Sequence, residues 1–335
     1  RKCISCNVGC AGNRIGINRP IRCTVNPAVP EGDIYKRLRV NKNCNVVVIG
    51  GGTAGLEAAC TAAEVGCNVF LFEKSDKLGG LSEFISDLPS KTRMKDFPRY
   101  LRTRAERLPN LYTFLNTEAS IEEINKFHPD IVVNATGSHP VVPPIPGLRE
   151  NRTAGNLDDI FIMINNVNAG KYPEEFCRGK KVLVMGGGAV GLDIIEYFAP
   201  LGADCTIVDM LPTIGAVADP ITKCSIKETF EVNHVKQYVN TAIQEVKEHS
   251  IVVKTPEGNV EELEFDLGFS ALGLAAYNPI LDELHKEYDD TDVDVYNIGD
   301  SVRARHIMEG TMDGRAILNV LDKRGLLDLS EIELA

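Results

Sequence analysis

VVVIGGGTAGLEAA, residues 46–59, decides the fold. Val46–Ile49 is an unbroken apolar run, the mark of a strand buried on both faces of a parallel sheet. Gly50, Gly52 and Gly55 follow at once, and TAGLEAACTAAEVG then shows helical spacing that stops at Gly66, a residue suited to closing a helix. CNVFLFEK, residues 67–74, is a second buried strand. Strand, helix and strand within about 30 residues make a βαβ unit. In that context Gly-x-Gly-x-x-Gly is a strong signal: the first glycine permits the tight turn, the second lets the backbone approach a pyrophosphate, and the third lets helix and strand pack closely. The helix N-terminus adds free N–H groups and a positive dipole end. Glu73, at the end of the second strand, can accept hydrogen bonds from an adenosine ribose.

The unit returns at residues 180–210 as KKVLVMGGGAVGLDIIEYFAPLGADCTIVDM. Aligning Gly50 with Gly186 superposes Gly52 on Gly188, Gly55 on Gly191, Gly66 on Gly202 and Glu73 on Asp209. This is an internal duplication, and it predicts two dinucleotide sites. An acid at the ribose repels a 2′-phosphate, and DMLPT after it contains no Arg or Lys, so the second site is expected to prefer NADH over NADPH. Two nucleotides in one chain are economically explained by hydride passing from a nicotinamide to a flavin.

Between the units, DIVVNATGSHPVVPPIPG (130–147) reads as a buried strand, a turn and a Pro-rich crossover. SIVVKT, VEELEFD, LGFSALG and VDVYNIGDS read as strands, and MEGTMDGRAILNVLDKRG as helix. The fold class is therefore α/β: two Rossmann-like dinucleotide-binding domains, the second inserted in the first, preceded by a loop-rich segment. Boundaries are expected at 1–40 for that segment, 41–150 plus 290–335 for the first domain, and 151–289 for the second.

Composition is that of an ordinary soluble globular protein, with 44% hydrophobic and 25% charged residues. A net charge of −11 without a basic stripe argues against nucleic-acid or anionic-membrane partners. The one basic run, RYLRTRAER (99–107), reads as a solvated helix face. No apolar run has the ~18 residues of a membrane span, and a cytoplasmic location is expected. The chain opens on Arg, as a piece of a longer polypeptide would.

Four of the ten cysteines fall in the first 23 residues, as Cys3-x2-Cys6-x3-Cys10-x12-Cys23. Zinc sites usually show two separated knuckles, whereas three close thiolates plus a distant fourth suit a [4Fe-4S] cubane. Zinc stays the alternative, and disulfides are disfavoured in a reducing compartment. Cys44, Cys60, Cys67, Cys177, Cys205 and Cys224 show no dithiol spacing and read as structural thiols. No proton donor is identified; His139 and His306 read as hydrogen-bonding or surface groups.

GGGTAGLEAA, FEKSDKLGG, NATGSHP and YNIGDS resemble the FAD-binding parts of two-dinucleotide flavoprotein reductases. Together with CISCNVGC…CTVNPA, the whole chain resembles the C-terminal half of the iron-sulfur flavoenzymes related to 2,4-dienoyl-CoA reductase, 2-enoate reductase and trimethylamine dehydrogenase. The resemblance implies FAD held by Gly50, Gly52, Thr53, Ala54, Gly55, Glu73, Lys74, Gly79, Gly80, Ala135, Thr136, Gly137, Gly299 and Asp300. It implies NAD(H) held by Gly186, Gly188, Ala189, Val190, Gly191, Asp209 and Gly273, and the cluster by Cys3, Cys6, Cys10 and Cys23. In that family an FMN-bearing (β/α)8 barrel of the old yellow enzyme type precedes the cysteines and carries the substrate chemistry. Nothing in this sequence resembles it. The implied role is electron input: hydride from NADH to FAD, then single electrons to the cluster, for reduction of an activated alkene in the barrel. The alternative is a nucleotide-binding docking module with ADP in the first site, as in amine-dehydrogenase-like members. A homo-oligomer stays open.

Overall fold

The computed structural model describes every residue except 30, 31, 33, 217, 329 and 331–335. In chain order the elements that place the sites are β1 (Asn45–Ile49), α1 (Thr53–Glu64), β2 (Asn68–Phe72), α2 (Asp96–Glu106), β3 (Leu111–Phe114) and β4 (Ile131–Asn134). There follow β5 (Leu157–Asp158), β6 (Lys181–Met185), α3 (Ala189–Phe198), β7 (Asp204–Val208), β8 (Lys236–Tyr238), β9 (Ala242–Val246), β10 (Ser250–Lys254), β11 (Val260–Glu264) and β12 (Leu267–Ser270). The last are α4 (Leu281–Tyr288), β13 (Asp294–Asn297) and α5 (Ile307–Arg315).

The chain forms two compact units. One comprises Arg1–Ser86, Arg93–His139 and Ala275–Ala335, the other Asp87–Thr92 and Pro140–Leu274. In the first, five parallel strands stand in the order β13-β4-β1-β2-β3, with Val46 paired to both Val69 and Ile131. Helix α1 covers one face with a stripe buried from Gly55 to Ala63. The other face is closed by Ile124, Ile280, Leu284 and Tyr288 against Val47, Ile49 and Phe72. Burial on both faces is why β1 is a continuous apolar run rather than an alternating one. It also draws α4 into this unit, so residues 275–289, read from sequence as part of the inserted domain, belong with the first.

The second unit repeats the arrangement as β8-β7-β6-β12-β5, again all parallel. An antiparallel meander β9-β10-β11 packs Val246, Ile251 and Val253 on Leu183 and Met185.

Two local readings change. The cysteine segment is not merely loop: Val8–Gly16 winds as a wide helical turn, with Gly12 N–H bonded to Asn7 O at 2.7 Å. The basic run on α2 is not a solvated face either. Arg104 is buried and ion-pairs with Glu57 at 2.8 Å and Glu64 at 2.7 Å, while Arg102 holds Glu83 at 2.6 Å. Helical periodicity could not show this, because the partner acids lie on α1 and in the segment after β2. Among the described residues no helix is long and apolar enough to cross a membrane.

Candidate functional site

Gly50 takes φ +101° as the chain leaves β1, and a Cβ there would lie 2.3 Å from the Ala135 carbonyl oxygen. At Gly55 a Cβ would come within 1.9 Å of Gly50 O, so helix and strand approach as closely as the spacing anticipates. Gly52 is different: nothing stands within 4 Å of where its Cβ would be. The turn thus presents bare backbone to open space at the N-terminus of α1, the arrangement that receives a pyrophosphate.

The Glu73 carboxylate lies against the same turn. Glu73 Oε2 accepts from Gly51 N–H at 2.7 Å, and Oε1 accepts from the Ser75 N–H and hydroxyl at 2.8 and 2.7 Å. Gly79 N–H donates to Gly51 O at 2.9 Å, and a Cβ on Gly80 would lie 2.9 Å from Gly52 Cα, so the Gly79–Gly80 doublet folds onto the same turn. The Thr53 hydroxyl donates to Ser82, which donates to Gly79 O. Ser75 and Ser82 were not singled out from sequence; neither has a motif of its own.

The remaining first-site segments meet the turn from the other side. Ala135 N–H bonds Ile49 O at 2.8 Å, the Thr136 hydroxyl donates to Tyr277 O at 2.6 Å, and Tyr277 N–H donates to Gly137 O at 2.9 Å. Asn134, wholly buried, donates to Asn278 and Asn297 at 3.0 and 2.9 Å, stitching the NATG and NIGD segments together. Gly299 N–H donates to Asp313 at 3.1 Å, and a Cβ on Gly299 would lie 2.7 Å from Ala54 Cβ. Asp300 accepts from Arg305 N–H at 3.1 Å and the Ser138 hydroxyl at 3.2 Å, and burial pushes its carboxyl above the usual range. Lys74 lies 4.9 Å over the Tyr277 ring, and His139 meets that ring edge-on. The His306 backbone N–H donates to Glu309 at 3.2 Å at the start of α5.

The second turn repeats the first nearly atom for atom. Gly186 has φ +108° with its Cβ position 2.3 Å from Ala271 O, a Cβ on Gly191 would come within 1.9 Å of Gly186 O, and Gly188 again faces open space. Asp209 accepts from Gly187 N–H at 2.5 Å and Leu211 N–H at 2.7 Å, and Gly215 N–H donates to Gly187 O at 2.8 Å. Ala189 and Val190 open α3 beside this turn, and Gly273 takes φ +108° with nothing within 4 Å of its Cβ position.

One group escaped the sequence reading altogether. Lys91 binds Asp193 at 2.8 Å and Glu196 at 2.6 Å, both on α3. Burial works to lower the Lys91 ammonium, but the two carboxylates together hold it above its ordinary value. Burial pushes Asp193 up against the opposing pull of Lys91. A half-buried ion pair on a glycine-turn helix is the kind of perturbed group that collects at functional sites. Its lysine lies over a hundred residues from its partners, so no local pattern announces it.

In the N-terminal segment, Arg22 N–H donates to Gly9 O at 2.7 Å, and the Cys6 thiol donates to Thr24 Oγ1 at 3.2 Å. Cys3 accepts from Ser5 N–H at 3.3 Å. All four cysteines are free, and Cys3 and Cys10 are exposed. The segment is anchored by Ile4, Val25 and Ala28 in the core of its unit and by the Thr311 hydroxyl of α5, which donates to Thr24 O at 2.9 Å. Among the described residues no group of three or more His, Cys, Asp or Glu side chains is placed to hold a metal ion.

Two parallel-sheet units, each with a glycine turn, an acid at the ribose position and open space at the helix N-terminus, define a two-dinucleotide flavoprotein oxidoreductase. Residues 101–307 match the family described as pyridine nucleotide-disulphide oxidoreductase, and residues 45–85 match FAD dependent oxidoreductase. The chain is 34% identical to an NADH oxidase of Thermoanaerobacter brockii over 94% of its own length and 46% of that protein. It is 32% identical to a bilirubin reductase of Mediterraneibacter gnavus over 96% of its length and 47% of that protein. Among solved structures, a 2-naphthoyl-CoA reductase complex superposes with a TM-score of 0.78 at 27% identity, over 93% of this chain and 45% of that one. The chain belongs to the pyridine nucleotide-disulphide oxidoreductase family, as the FAD- and NAD(H)-binding part of 2,4-dienoyl-CoA reductase-like enzymes. It spans about half the length of the curated relatives it matches.

Proposed function

We propose that this chain is the cytoplasmic electron-input module of a larger iron-sulfur flavoenzyme, oxidising NADH for a substrate domain that reduces an activated alkene. The observation that carries the reading is the duplicated turn, each copy with its own acid and its own open glycine. In this reading the first unit holds FAD and the second NAD(H). When bound, FAD supplies a hydride acceptor that can also release electrons singly, and a [4Fe-4S] cluster supplies a one-electron exit.

The chain's own residues position these groups. The backbone of Gly50, Gly52, Thr53, Ala54 and Gly55 offers N–H groups and the α1 dipole to the FAD pyrophosphate, while Glu73 takes its ribose. Gly79, Gly80, Ala135, Thr136, Gly137, Gly299 and Asp300 enclose the rest of that nucleotide, and Lys74 rims it. Gly186, Gly188, Ala189, Val190, Gly191 and Gly273 receive the second pyrophosphate, and Asp209 holds the NADH ribose against a 2′-phosphate. Cys3, Cys6, Cys10 and Cys23 would ligate the cluster, in a segment docked on α5, the helix that follows Asp300. The alkene assignment is supported by the names of relatives, among them a cinnamate reductase of Clostridium sporogenes and the bilirubin reductase. An FMN-bearing barrel is the proposed partner.

Anaerobic addition of NADH should bleach a flavin that copurifies with the protein, and iron and acid-labile sulfide should be present in the same sample. A colourless protein that releases only ADP, or a flavin that NADH leaves oxidised, overturns the reading. Cys6→Ser should abolish electron delivery to a one-electron acceptor while leaving the bleaching largely intact. Equal loss of both steps would mean that the cysteines hold the fold.

Asp209→Ala is expected to raise the KM for NADH by about tenfold, the worth of hydrogen bonds to a charged acceptor at ~1.5 kcal/mol. The KM for NADPH should rise less, because the like-charge repulsion goes with the carboxylate. An unchanged NADH/NADPH ratio in steady-state kinetics would remove Asp209 from the ribose.

A further inference from the structure

Cys44 and Cys67 stand one residue ahead of β1 and β2. Asn45 and Asn68 are paired in the parallel register, and Asn68 N–H donates to Cys44 O at 2.9 Å, so the two cysteines face each other across adjacent chains. Neighbouring strands run about 4.8 Å apart, which lies inside the Cα separation a disulfide accepts. Both side chains are buried in the same hydrophobic cluster, and the Cys67 thiol bonds to Cys44. Neither residue has a part in the nucleotide or cluster sites.

We propose that Cys44 and Cys67 are a modification site: on meeting a hydroperoxide they close an intramolecular disulfide that encircles the whole first glycine turn and α1. The Cys44 sulfur attacks the peroxide oxygen, the O–O bond breaks, and a sulfenic acid and water form. The Cys67 sulfur then attacks the Cys44 sulfur, the S–O bond breaks, and a second water leaves; two thiols are oxidised by two electrons and one peroxide is reduced. Cys44 is the attacking sulfur because the hydrogen bond from Cys67, opposed by burial, lowers its thiol below the ordinary value. The same bond, together with burial, pushes Cys67 up, which suits it to the resolving role. The exposed residues Asn41, Lys42 and Asn43 lead directly into Cys44, so the oxidant's route is short. Oxidation would staple the base of β1 to the base of β2 and restrict the unfolded chain around the fingerprint.

The test uses the protein as isolated. It is treated with hydrogen peroxide, its remaining thiols are alkylated before unfolding, and it is digested with trypsin and then with a glutamate-specific protease. Cleavage after Lys42, Glu57, Glu64 and Glu73 separates the three cysteines, so a Cys44–Cys67 link appears as Asn43–Glu57 joined to Val65–Glu73, apart from the Cys60 peptide. The expected result is that joined pair, reversible by dithiothreitol, with a rise in Tm of about 5–10 °C. Cys67→Ser should show neither. If exposed Cys224 is oxidised in the same sample while Cys44 and Cys67 stay alkylatable after unfolding, or if either links elsewhere, the proposal fails. The peptide map on the unaltered chain decides this even if the variant does not fold.

Discussion

Gly52→Leu is expected to give a folded protein that no longer holds flavin. The side chain would enter space with no atom within 4 Å, and the backbone at Gly52 is extended (φ −73°, ψ −172°), which leucine adopts without strain. The fold should therefore lose only about 1 kcal/mol, the cost of an apolar residue at a helix N-cap. The same side chain would occupy the volume through which backbone N–H groups reach the pyrophosphate. Losing two hydrogen bonds to charged oxygens, each worth ~1.5 kcal/mol or more, weakens binding about 100-fold or more. Gly55→Ala is the control of opposite kind: its methyl would sit 1.9 Å from Gly50 O, a backbone atom that cannot step aside. It should destabilise the unit by about 3 kcal/mol, the upper end of overpacking costs. Flavin absorbance after gel filtration, with urea unfolding of the same samples, separates the two. Retained flavin in a folded Gly52→Leu would mean that the open space is not where the cofactor lies.

Lys91→Met should cost about 1 kcal/mol at neutral pH, as the loss of a half-buried, partly screened ion pair does. Methionine keeps the aliphatic stem and removes the charge that serves Asp193 and Glu196. In the unaltered protein the ammonium is raised in the folded state, so its contribution is complete below the ordinary lysine pKa and is lost only as pH climbs through the folded value. Asp193, already pushed up by burial, carries an uncompensated charge in the variant. That charge is relieved as falling pH protonates the carboxyl, so the deficit should be largest at pH 8 and shrink towards pH 5. Urea midpoints at the two pH values measure it. Equal deficits would show that the loss comes from packing and not from charge.

The glycine spacing, the apolar run of β1 and the acid at each second strand made both nucleotide turns legible, because these constraints act within one βαβ unit. Glu73 and Asp209 were readable for the same reason, since each answers a backbone N–H in its own turn. Arg104 shows the limit. On α2 it looked like one charge among several on a wet face, yet it is buried beside Glu57 and Glu64, which belong to another helix. Lys91, Asn134 and the Cys44–Cys67 pair share that limit, each taking its meaning from a partner brought near by topology.

By itself, the sequence determined the class of fold, the duplication, the two turns and the acids that answer them, all products of short-range backbone geometry and helix dipoles. Tertiary structure alone decided that α4 closes the first sheet, that the cysteine segment docks on α5, and which charges are buried in pairs. The reason is physical: burial and pairing depend on what lies opposite in space, and that is set by how the sheets order their strands rather than by the spacing of residues along the chain.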